Sequence, residues 1–177
     1  GLIRVLYSKA AYQSLIGQAE GSATDLQAAY DLALKIGNSL YAGHVMYRIA
    51  ELTNFGGDPG TAYDQYKKSF EWFETTGDYA MQARNLEFMA ETNPSKDIKD
   101  RKRLYQEAIP LFEQGWARYS QMEPGDPAFS SATFIGGFSS KAKVKLFSLF
   151  NVAIDAGDSL QSLGDLEELP EEQREHY

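Results

Sequence analysis

The chain reads as an all-α repeat protein of about four helix pairs, with a period of about 40 residues. Three observations predict it. A turn signal recurs at Gly37-Asn38-Ser39, Gly77-Asp78-Tyr79 and Gly157-Asp158-Ser159, one period apart (37 to 77) and then two (77 to 157). Fixed spacing of this size marks a stack of supersecondary units. Apolar and small residues keep the same register: Ala10, Ala50 and Ala90; Leu6, Met46 and Leu86; Leu26, Tyr66 and Leu146; Tyr30, Phe70 and Phe150; Ala29, Ser69, Ile109 and Leu149. No stretch shows the period-2 alternation of a half-buried strand.

The elements follow in order. Ile3, Leu6, Tyr7, Ala10, Ala11 and Leu15 have the spacing of a helix with one buried face. Gly21-Ser22 reads as the break before a second helix through Leu26, Ala29, Tyr30, Ala33 and Ile36. In the second unit Met46, Ile49, Ala50 and Thr53 form one stripe and Tyr66, Ser69, Phe70 and Phe73 the next. Gly56-Gly57-Asp58-Pro59-Gly60 separates them, ending one helix and offering Pro59 to the first turn of the next. The third unit runs through Ala83, Leu86, Met89 and Ala90, breaks at Asn93-Pro94, and resumes with Ile98, Tyr105, Ala108 and Phe112. Its turn glycine is replaced by Ala117, and Pro110 predicts a kink. A fourth, less regular unit opens at Pro124-Gly125-Asp126-Pro127 and contains a helix over 141–156. The small residues at 10, 50 and 90 predict close helix crossings, and the aromatics at 30, 70 and 150 the filling between pairs.

Composition narrows the function classes. At 177 residues and 43% hydrophobic the chain can build one core, and with no cysteine it has neither disulfides nor thiolate metal ligands. A formal net charge of −8 argues against a phosphate-neutralising, nucleic-acid-binding role. No apolar run approaches the roughly 20 residues of a membrane span, and no signal peptide is recognisable. These features predict a cytoplasmic protein without membrane insertion, and a start at Gly1 rather than Met predicts a piece of a longer one. The organisation expected is a repeat domain over 1–163 and an acidic capping helix or tail over 164–177, where Leu166 and Leu169 are the only apolar stripe.

The second unit, with Ala50, Gly57-Asp58, Ala62, Tyr66 and Ser69 in order, resembles a tetratricopeptide repeat. The first unit keeps Ala10, Leu26 and Ala29, and the third keeps Ala90, Tyr105 and Ala108 with a one-residue shift. That family repeats at about 34 residues, so the longer period here implies longer helices or wider turns. The resemblance implies a right-handed α–α superhelix whose first helices line a concave groove. Carried onto this chain, the groove takes Arg4, Tyr7, Ala11 and Ser14, then His44, Tyr47, Glu51 and Asn54, then Arg84, Glu87 and Glu91. It also implies a protein- or peptide-binding scaffold module, part of a larger regulatory or assembly protein.

Material for catalysis is thin. His44 and His176 are the only imidazoles, and the zinc-protease, phosphate-loop and nucleophile-elbow motifs are all missing. Glu87 and Glu91, four apart on one face, could seat a cation or an acid–base pair, but a solvated acidic face is the plainer reading. The expectation is a non-enzyme with no catalytic residue, metal or cofactor. Two basic clusters, Lys96 to Arg103 and Lys141/Lys143/Lys145, read as solvated helix starts or as contacts for an acidic protein partner. The alternative to a scaffold is a self-associating assembly subunit, since Tyr and Phe together number 21 (11 and 10). A helical small-ligand sensor or enzyme comes third.

Overall fold

The structure, a computed structural model, describes residues 1–95 and 97–119, with backbone alone at 109, 112, 113, 116, 118 and 119. The fourth unit, Lys141, Lys143, Lys145 and the acidic segment 164–177 lie outside the described residues. All the regular structure among those described is helical: α1 (Leu2–Leu15), α2 (Ala19–Lys35), α3 (Ser39–Phe55), α4 (Pro59–Thr76), α5 (Tyr79–Thr92) and α6 (Ile98–Tyr119). Each helix packs on the next in sequence, and α1 also touches α3.

One joint is built four times. Gly17, Gly37, Gly57 and Gly77 all have positive φ, between 64° and 87°, and stand at equal intervals along the chain. At each, the glycine N–H donates to the carbonyl three residues back, and the next N–H to the carbonyl five back: Gly37 to Leu34 and Asn38 to Ala33, Gly77 to Glu74 and Asp78 to Phe73. This Schellman arrangement satisfies the last carbonyls of the outgoing helix. The residue after the glycine then caps the incoming helix. The side-chain oxygens of Asn38, Asp58 and Asp78 accept from the backbone N–H of Tyr41, Thr61 and Met81 at 3.0, 3.0 and 3.2 Å. Pro59 occupies the first turn of α4, where its missing N–H costs nothing. The joints being this short, the excess of the period over about 34 residues resides in helices of 14 to 18 residues.

Gly21-Ser22, expected as a break, lies inside α2, and the break is at Gly17. The pair marks a helix crossing instead. Ser22 is buried and its hydroxyl donates to the Ala10 carbonyl at 2.9 Å, while a Cβ on Gly21 would meet the Gln13 side-chain end at 2.7 Å. The break at Asn93-Pro94 is observed: the Asn93 carboxamide oxygen accepts from the Ser95 N–H at 3.0 Å, and Asp97 accepts from Lys99 N–H at 2.9 Å to start α6. That helix continues through Pro110 and Ala117.

The repeated columns are the core. Ala10, Ala50 and Ala90 are fully buried, as are Ala29, Ser69, Tyr66 and Phe73. Ser69 Oγ donates to the Gly43 carbonyl at 3.0 Å, and the Phe73 ring lies 3.0 Å from where a Gly43 Cβ would stand, so α3 and α4 meet closely there. One cluster joins α1, α2 and the buried side of α3; a second joins α3 to α6 around Tyr66, Leu86 and Tyr105. Tyr30 bridges neighbouring pairs, its hydroxyl accepting from Trp72 Nε1 at 3.2 Å with the Lys68 ammonium over its ring.

Two outcomes test the joint. Gly77→Ala places a Cβ in a left-handed conformation and is expected to cost about 1–2 kcal/mol in chemical denaturation, whereas Gly60→Ala, in the first turn of α4, should cost well under half of that. The Asp58 carboxyl is held below the usual carboxylate range by its hydrogen bond from Thr61. Its cap therefore contributes above that range and is lost as pH falls through the lowered value. Asp58→Asn should flatten that acid limb of a stability–pH profile while leaving stability at neutral pH nearly unchanged.

Candidate functional site

The first helices of the pairs, α1, α3 and α5, repeat one face at the period of the helix pairs: Arg4, His44 and Arg84; Tyr7, Tyr47 and Glu87; Ala11, Glu51 and Glu91; Ser14 and Asn54. The structure divides these residues by depth. Tyr7, His44, Tyr47 and Glu87 are buried, Glu51, Asn54 and Arg84 half-buried, and Arg4 and Glu91 exposed. His44 packs edge-to-face on Phe73 with ring centroids 4.8 Å apart, a core position.

The face is a seam of linked charges and phenols. Arg48 Nη1 pairs with Glu51 Oε2 at 2.6 Å, and Arg84 Nη1 with Glu87 Oε2 at 3.0 Å, each three residues apart on one helix. The Arg84 guanidinium also reaches back to the preceding unit, hydrogen-bonding to the Tyr47 hydroxyl and lying over the Phe88 ring at 5.0 Å. Tyr7 stands near the Arg48–Glu51 pair, so α1 adjoins α3 at that pair. Burial pushes the phenols of Tyr7, Tyr47 and Tyr66 well above their ordinary pKa, and each stays neutral.

Two residues of the seam stand outside the columns shared by α1, α3 and α5. Arg48 stands one position off the Tyr7/Tyr47 column, and its signal is the spacing to Glu51, which matches Arg84 to Glu87. Tyr66 comes from α4, inserted between α3 and α5, and stacks on Phe88 at 5.1 Å and 12° while contacting Tyr47 at 5.6 Å. Its hydroxyl is buried and makes no hydrogen bond among the described residues, yet Glu51, Glu91, Arg84 and Arg48 all act on it.

Glu87 and Glu91 are not a carboxylate pair facing one another alone, because Glu87 is taken by Arg84. No group of three or more potential metal ligands occurs among the described residues. A predominantly apolar cavity of about 150 Å³, lined by Gly1 to Arg4, Leu32, Ile36 and Tyr41, meets the face at Arg4. In the basic cluster at the start of α6, Arg101 Nε donates to the Ala90 carbonyl at 3.1 Å and Arg103 pairs with Glu107 at 2.8 Å, so both serve the local structure. No helix among the described residues is long and apolar enough to cross a membrane. Comparison with models of known protein families gives no match. Comparison with curated proteins gives none either.

The two ion pairs differ in depth, and this sets their expected worth. The Glu87 side chain is 4% exposed against 20% for Glu51. Arg84→Met leaves a buried carboxylate without its guanidinium and is expected to destabilise by about 2–4 kcal/mol. Arg48→Met should cost about 1 kcal/mol or less. Equal losses in urea titrations of the two variants would contradict this ordering.

Proposed function

We propose that this chain is a protein- or peptide-binding module. In this reading its helix pairs form a right-handed, tetratricopeptide-like superhelix, and the partner lies along the face shared by α1, α3 and α5. The module would belong to a larger regulatory or assembly protein, and the proposal assigns it no reaction. One observation carries it. Over the buried rings of Tyr7 and Tyr47, the half-buried Arg48, Glu51, Asn54 and Arg84 and the exposed Arg4 and Glu91 edge this face with groups of both signs. Charges of both signs along the face suit the alternating donors and acceptors of a peptide backbone, with Arg and Glu able to take a partner's side chains.

Burial dictates how to test it. Tyr47 and Arg84 hold α3 to α5, so truncating them would confuse binding with stability. Arg4, Asn54 and Glu91 reach solvent or its edge and can be changed with the core intact. The variant Arg4→Glu/Asn54→Ala/Glu91→Lys should lose at least about tenfold in capture of a lysate partner relative to the parent chain, with an unchanged helical circular-dichroism signal. Lys67→Glu, on the exposed side of α4, should capture it normally. Identical partner sets from all three chains would reject the seam as the binding face.

A further inference from the structure

The repeat period gives positions 2–12 of α1 counterparts in α3 and α5, and on one side of α1 the counterparts disagree. Leu2, Val5 and Tyr12 are 61%, 62% and 64% exposed. Their counterparts Ala42 and Val45 are buried, and Leu52 packs against the same cluster. In α5, Gln82, Asn85 and Thr92 at the same positions are buried as well. In α3 what covers this side is α2, whose Leu26, Ala29, Tyr30 and Ala33 share one cluster with Ala42 and Val45. In α5 it is α4, and the Gln82 carboxamide there donates to the Phe73 carbonyl at 2.9 Å.

We infer that the outer side of α1 is a docking face for a separate helix bearing the buried stripe of α2, a leucine, an alanine–aromatic pair and an alanine at successive turns. Leu2, Val5, Lys9, Tyr12 and Ile16 follow one another at steps of three and four, the seam that a single helix covers. The one charge in that seam is already matched within the chain, Lys9 Nζ lying 2.7 Å from Asp25 Oδ2, so the face presents apolar surface without a free ion. Small residues are required of the occupant because the α2–α3 and α4–α5 contacts use them, and bulk would hold the helices apart. A second copy of the chain cannot supply this stripe from α2 or α4, where Leu26, Ala29, Ala33, Tyr66, Ser69 and Phe73 are all buried. The inference is independent of the seam proposed above to bind a partner.

The probe is a fluorescent synthetic peptide spanning residues 18–38, titrated into the full 177-residue chain. Saturable binding is expected, weakened about tenfold or more by Val5→Asp/Tyr12→Asp, and by replacing Ala29 and Ala33 of the peptide with leucine. A second measurement does not depend on the peptide folding alone: residues 1–40 are duplicated in front of Gly1, which preserves the repeat register. Val5→Asp should then lower the melting temperature of the extended chain by several degrees and leave that of the original within about 1–2 °C. No saturable binding, indifference to either set of substitutions, or equal effects of Val5→Asp in the two chains would overturn the inference. So would a mass that rises with concentration and is not reversed by the peptide, which would make a second copy the occupant.

Discussion

Everything else in this molecule depends on a joint of two residues. A glycine in the left-handed region closes one helix, and the residue after it opens the next. Because the glycine satisfies the outgoing carbonyls and its neighbour, in three joints of the four, caps incoming N–H groups with its side chain, the chain reverses with few backbone groups left to solvent. The stride between joints is the same at each step from Gly17 through Gly37 and Gly57 to Gly77. A constant stride fixes the rotational phase at which each helix begins. Only then can an alanine at one position, a serine at another and a tyrosine at a third recur against the same neighbours.

The seam along α1, α3 and α5 shows how polar groups are used inside such a stack. Arg48, Glu51, Arg84 and Glu87 sit among phenol and phenyl rings, partly withdrawn from water, and pair within a helix. Arg84 bonds both Glu87 beside it and Tyr47 in the unit before. Such pairs add little net stability compared with apolar packing, but they penalise any shift that separates them. The seam thus holds the relative setting of successive helix pairs, and the proposed partner would read a surface whose side chains are already positioned.

Much of the architecture was legible in the sequence because the close crossings demand small residues, and small residues recur visibly at 10, 50 and 90. The turn at Gly17 was not. It is followed by Gln18 rather than the Asn or Asp found after Gly37, Gly57 and Gly77, and Gly21-Ser22 nearby offers a stronger turn signal. In a helix, the same two residue types serve equally where backbones approach, and tertiary contact with Gln13 and Ala10 decides between the uses. The candidate site was legible as a set of positions on one face, but depth was not. Periodicity places Tyr7, His44 and Tyr47 on the same side as Arg4, and only the closeness of neighbouring pairs puts the rings inside and the arginine out. Tyr66 lay beyond such reasoning, since it reaches the seam from a helix of the other series.

Packing that joins each helix chiefly to the next keeps contacting residues near one another along the chain. Low contact order of this kind favours fast folding, because little loop-closure entropy must be lost before contacts begin to form. It also makes cooperativity a property of the joints between units rather than of a single centre. Opening can begin at an end and proceed pair by pair, each step releasing one inter-pair contact. The Tyr30–Trp72 hydrogen bond skips a helix, linking α2 to α4. It braces two neighbouring pairs across α3, a link that separating α1 alone leaves in place.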